Sequence, residues 1–171
     1  MQAHIASEVI DGGEARASRD AGGLAPRVVF TEPQVAAVGL TLDAAREQGL
    51  PVRAYDVPSS VTAGASFHGR NTPGTSRLVV AEDRGVIVGA TFTGTDVAEW
   101  LHAATIAVVG EIAVERLWDA IPAFPTRSED LAAAGAEARG DAGRRARLTG
   151  PGLSAPRRSS VAEPRRRRRT R

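Results

Sequence analysis

Residues 121–130, IPAFPTRSED, gather the residue types from which a site could be built. Pro122 and Pro125 restrict the backbone on either side of Phe124, and an aromatic–Pro bond is a place where a cis peptide is tolerated. Thr126, Arg127, Ser128, Glu129 and Asp130 then supply two hydroxyls, a guanidinium and two carboxylates in immediate succession. The same residues also make a rigid turn in which Ser128 or Thr126 caps a following helix and Glu129 lies near its positive end. On local chemistry alone, the rigid turn is the preferred reading.

The other reactive side chains form no constellation. His4, His68 and His102 are far apart, lack metal-ligand spacing and have no nucleophile beside them, so no metal site is expected. His102 reads as a packed or interfacial histidine, and His68 as an exposed loop residue. The chain has no cysteine, which excludes disulfides, thiolate metal sites and thiol redox chemistry within it. Any redox role must borrow its electron carrier. The stretch GATFTG (residues 89–94) is Gly-rich but lacks the Gly-x-Gly-x-x-Gly or Walker pattern that wraps a phosphate.

The elements that must position the turn are legible in outline. Ile5, Val9 and Ile10 are spaced for one face of a short helix ended by Gly12-Gly13, and residues 14–25 read as a linker. RVVFT reads as a buried strand, Thr41 can cap the helix LDAAREQ, and VRAYDV alternates as a second strand. Residues 59–76 read as a long loop, and hence as a candidate for contact. RLVVAEDRGVIVGATFTG reads as a hairpin turning at Asp83-Arg84-Gly85. Thr95 or Asp96 is expected to cap a long helix over 97–109, whose apolar residues occupy more than one face and call for cover on more than one side. A short helix around VERLWDA leads into the turn. The pattern implies an α+β fold: an antiparallel sheet with helices packed on one face.

Charge divides the chain. Residues 1–134 hold 10 Arg against 17 Asp plus Glu, whereas residues 135–171 hold 12 Arg against 3 acids. The sequence pI of about 10.2 is therefore a property of the tail. Beyond Glu129 large apolar residues are few, and residues 135–171 are expected to be a disordered Arg-rich tail. A solvated tail is preferred over one that holds nucleic acid or an acidic membrane. VAEWLHAATIAVVGEIAV carries Glu99, His102 and Glu111, so it reads as a buried helix and not as a membrane span. The start lacks the pattern of a secretion signal, and the cytoplasm is the expected compartment.

Four ordered blocks together resemble one family, the C-terminal dimerisation domain of the FAD-dependent pyridine nucleotide-disulfide oxidoreductases, the group of dihydrolipoamide dehydrogenase, glutathione reductase and mercuric reductase. PRVVFTEPQVAAVGLT resembles its entry strand and turn, and RLVVAEDRGVIVGATFTG its central hairpin. EWLHAATIAVVGE resembles its long helix, and FPTRSE its His-Pro-Thr-x-Ser-Glu signature. The resemblance covers roughly residues 26–129, and MQAHIASEVI resembles the segment that leaves the preceding FAD domain.

The resemblance implies three parts: residues 1–25 as a remnant of that FAD domain with a linker, 26–134 as the dimerisation domain, and 135–171 as the tail. It implies a homodimer and a parent that uses FAD and NAD(P)H, with neither bound by this chain alone. Phe124 occupies the position of the family's acid–base histidine, and Glu129 that of the glutamate that orients it. No catalytic residue is therefore expected here, because phenylalanine cannot exchange a proton. Phe124 and Pro125 are expected against the flavin edge of the partner subunit. The family continues after the signature with an apolar helix, where this chain has SEDLAAAGAEA. The alternative reading is a stand-alone interaction module with a basic nucleic-acid-binding tail.

Overall fold

The structure, a computed structural model, describes residues 6–7, 9–13, 24–69 and 73–149. Five strands form one antiparallel sheet: β1 (Arg27–Val29), β2 (Gln34–Gly39), β3 (Val52–Pro58), β4 (Thr75–Ala81) and β5 (Val86–Gly94), in the order β1-β2-β5-β4-β3. The hairpin forms as its β-branched runs dictate, with Gly85 taking the positive φ of 64° that the turn requires. Register places Phe92 opposite Ser76 and Ala90 opposite Leu78, and a bulge between Val79 and Val80 shifts the far end of the pair.

Among the described residues, the helices packed with the sheet are α1 (Leu42–Glu47), α2 (Val97–Val109), α3 (Val114–Asp119) and α4 (Glu129–Thr149). Thr41 caps α1, its Oγ1 accepting from the Ala44 N–H at 3.1 Å. The core lies between one face of the sheet and α2, α3 and α4. Val38, Leu78, Ile87, Ala90 and Phe92 meet Trp100, Leu101, Ala104 and Val108 of α2, Leu117 of α3, and Leu131, Ala134 and Ala138 of α4. Phe92 and Trp100 pack with ring centroids 4.0 Å apart. On the opposite face, at the start of α1, Thr41 and Leu42 share a hollow with Arg77, Val79, Thr91 and Thr93.

Four expectations need correction. The first concerns the tail, since residues 135–149 continue α4 where disorder was expected from 135. Ala134 and Ala138 are buried, and Tyr55 Oη donates to Asp141 Oδ2 at 3.2 Å. Alanine is the best helix former and lets the helix approach the sheet closely, an effect that a count of large apolar residues misses. Second, Asp96 precedes α2 in left-handed conformation (φ 58°) and makes no side-chain cap. Third, RVVFT, expected to be a buried strand, forms β1 at the edge of the sheet, where Val29 is 55% and Phe30 78% exposed; within this chain α2 buries one face, and Ile106 and Val109 on its other side are more than half exposed. Fourth, the loop expected over 59–76 contains two 3-10 helices, Ser59–Val61 and Ala63–His68. Residues 6, 7, 9 and 10 are helical. The expectations for His4, for most of the linker and for residues 150–171 lie outside the described residues.

Candidate functional site

The turn at 121–128 stands clear of the body. Ile121 is 88% exposed and Phe124 78% exposed, and the Phe124–Pro125 bond is cis. Thr126 Oγ1 does not cap α4; it turns back and donates to Ala123 O at 2.6 Å. The helix start is served by Glu129, whose Oε1 accepts from the Thr126 N–H at 2.8 Å, the backward half of a capping box.

Glu129 does more than cap. Its Oε1 also accepts from the Gly64 N–H and its Oε2 from the Ala63 N–H, each at 3.2 Å. Gly64 lies so close to the Thr126 carbonyl that a Cβ there would collide with backbone, so only glycine fits. The 59–68 segment is thus pressed against the turn. The sequence marked this segment as a candidate for contact, but gave no sign of what it touches.

Behind the turn lies a feature that sequence reasoning missed. All the buried polar or charged residues among those described, Ser59, Thr62, Ser76, Arg127 and Asp130, fall in one region. Asp130 Oδ1 accepts from Thr62 Oγ1 at 2.6 Å, and Oδ2 from Ser76 Oγ at 3.4 Å. Arg127 Nη2 is 3.0 Å from Asp130 Oδ2, an ion pair between side chains that are 9% and 0% exposed. The pair meets in distance but not in hydrogen-bond alignment, and Nε, Nη1 and Nη2 have no hydrogen-bond partner. A buried charge needs its counter-charge. The only local sign was the adjacency of Asp130 to Glu129.

His68 is not free in its loop. Its Nε2 is 3.7 Å from Asp96 Oδ2, which ties the end of the 59–68 segment to the start of α2. His102 points outward from α2 and is exposed, not packed within this chain. Among the described residues no group of three or more His, Cys, Asp or Glu could hold a metal ion, and no helix is long and apolar enough to cross a membrane.

On the far side of the turn, a hollow of about 450 Å³ runs between α2, α3 and α4, lined by Ile106, Ile112, Leu117, Pro122 and Leu131 among others. Ile106, which lines it, is 58% exposed, and Ile121 and Phe124 flank its lining residue Pro122 on the exposed turn. Monomeric proteins rarely expose such a surface without using it.

This antiparallel sheet with helices on one face leads into a Pro-Thr-x-Ser-Glu turn. Residues 25–134 match the pyridine nucleotide-disulphide oxidoreductase dimerisation domain, and the chain belongs to that family. It is 36% identical over 131 residues to the dihydrolipoyl dehydrogenase of Mycobacterium tuberculosis, covering 76% of this chain and 28% of that one. To the mercuric reductase of Staphylococcus aureus it is 32% identical over 106 residues, 62% of this chain and 19% of that. Among solved structures, LpdA from Mycobacterium tuberculosis superposes with a TM-score of 0.69 at 23% identity, covering 80% of this chain and 29% of that one. The chain therefore spans less than a third of the length of these relatives.

Proposed function

We propose that this chain forms the two-fold subunit interface of a flavin-dependent NAD(P)H oxidoreductase, with Phe124 and Pro125 packed against the flavin edge of the partner subunit. The observation that carries this reading is the exposed Phe124, held on a rigid turn beside a hollow lined mostly by apolar residues. A face of this kind is self-complementary in a two-fold pair, where each copy covers the other. FAD and NAD(P)H would be bound by parts of longer relatives that these residues do not resemble. The turn would act as a wall that packs on the flavin and excludes water, with no residue at position 124 to exchange a proton.

Two measurements test this. Sedimentation of the purified chain should show a dimer, which shifts toward monomer on Ile106→Glu. The chain supplied with FAD should not oxidise NADH. A monomer at all concentrations would remove the interface reading, and NADH turnover would remove the view that the chain is inactive alone.

The division of charge favours one second reading, an interaction module whose basic C-terminal residues bind nucleic acid. It predicts binding that falls steeply with salt and disappears when residues 150–171 are deleted. Binding unchanged by that deletion would eliminate it.

A further inference from the structure

Helices α2, α3 and α4 enclose the hollow that Leu117 and Leu131 line from their buried positions, but they do not close it. Ala103 and Ala107 of α2 and Ala132 of α4 put only methyl groups on its walls, and about 450 Å³ remains between them. A pocket of roughly 300 to 1,000 Å³ with apolar walls and a few polar groups is the usual form of a small-molecule site. Of the eleven described residues that line this one, nine are apolar, and the two polar ones are Arg116 and Ser128.

Arg116 is the one charged residue of that lining. Its guanidinium lies 3.5 Å from Asp119 in a pair whose side chains are 78% and 64% exposed. So open a pair contributes little, and an incoming carboxylate can take the place of Asp119 at small cost. The planar guanidinium matches a carboxylate with two parallel N–H donors. A ligand that is polar throughout would desolvate against the alanine and leucine walls without return. A cationic head would meet the charge of Arg116.

We propose that this hollow binds a small amphipathic carboxylate, with its apolar body between the three helices and its carboxylate on Arg116, and that such a ligand competes with the partner subunit. The competition rests on the reading of this side as the subunit interface, because Ile106 belongs both to the lining and to that side. A ligand packed on Ile106 takes apolar surface that a partner would otherwise cover.

The test uses the full chain, with decanoate as the probe. By calorimetry decanoate should bind once per chain, and Arg116→Gln should weaken it about fivefold, the upper end for a charge pair at a surface. Decylammonium, which has the same tail and the opposite charge, should bind at least about tenfold more weakly than decanoate. Ala132→Leu keeps a good helix former and fills the hollow, so binding should be lost. Binding that survives Ala132→Leu, or decylammonium that binds as tightly as decanoate, overturns the proposal.

The competition is read by sedimentation. Decanoate should shift the dimer toward monomer, and Val109→Glu, which breaks the interface from outside the hollow, should bind decanoate more tightly than the unaltered chain. A dimer that persists at saturating decanoate overturns the competition, and absence of binding to Val109→Glu overturns the site. A chain that is monomeric before decanoate is added removes the interface reading and the competition with it, while calorimetry still decides whether the hollow is a site.

Discussion

Helices α2 and α4 lie on the same face of the same sheet, yet they are held there in different ways. Helix α2 presents Trp100, Leu101 and Val108, and its neighbour Phe92 is fully buried. Helix α4 presents Leu131 and then Ala134 and Ala138, with Gly135 so near Leu117 that a Cβ would lie 2.8 Å from Leu117 Cδ2. The first is secured by the bulk of its apolar side chains. The second is secured by closeness, with two polar ties along it: Asp130 to Thr62 at its start, and Asp141 to Tyr55 three turns later. The difference teaches that a helix poor in large side chains can still dock, provided that the sheet supplies partners for its polar groups.

This contrast is broken most severely at the α2 side. Phe92→Ala should cost about 4 kcal/mol, the usual penalty for emptying a buried aromatic site, read as a lower midpoint in urea unfolding. At the α4 side charge should outweigh bulk. Asp130→Ala strands the Arg127 guanidinium without its counter-charge and should cost about 3 kcal/mol, whereas Leu131→Ala should cost about 2 kcal/mol. Replacing both members, as Arg127→Met with Asp130→Val, should recover most of the loss, because no charge then remains buried. If Asp130→Ala proves milder than Leu131→Ala, α4 is held by apolar burial after all.

The same contrast explains how much could be read from the sequence. The β4–β5 hairpin was legible because its signal is local: two β-branched runs around Asp83-Arg84-Gly85, and a partner a few residues away. The Thr41 cap and helix α2 were legible for the same reason. Helix α4 beyond 134 was not, because its stability is tertiary and its residues are individually too small to announce a core. The site divides likewise. The rigid turn at Phe124-Pro125 could be read from its prolines, whereas the contact of Glu129 and Asp130 with Thr62, Ala63 and Gly64 joins segments 65 or more residues apart. No periodicity or motif records such a contact. Asp96 failed as a predicted cap because its backbone is left-handed (φ 58°), not the extended conformation from which a side chain caps a helix.

The finest test of the α4 side is a titration. Tyr55 is the chain's one tyrosine, so its ultraviolet titration is unambiguous. Its pKa is pushed up from 10.0 to about 12, first by burial and then by the hydrogen bond and the charge of Asp141, all of which disfavour the phenolate. A group whose pKa is raised in the folded state adds stability that is fully present below the unfolded value near 10 and is lost as pH climbs through about 12. The neutral phenol's hydrogen bond is worth about 1 kcal/mol, so Tyr55→Phe should cost that much at neutral pH. Asp141→Ala should bring the midpoint down only part of the way, because burial is the larger cause. A midpoint near 10 in the unaltered chain would mean that α4 does not reach Asp141 as a docked helix. The comparison between the two helices would then apply only to the first turns of α4, where Asp130 and Leu131 lie.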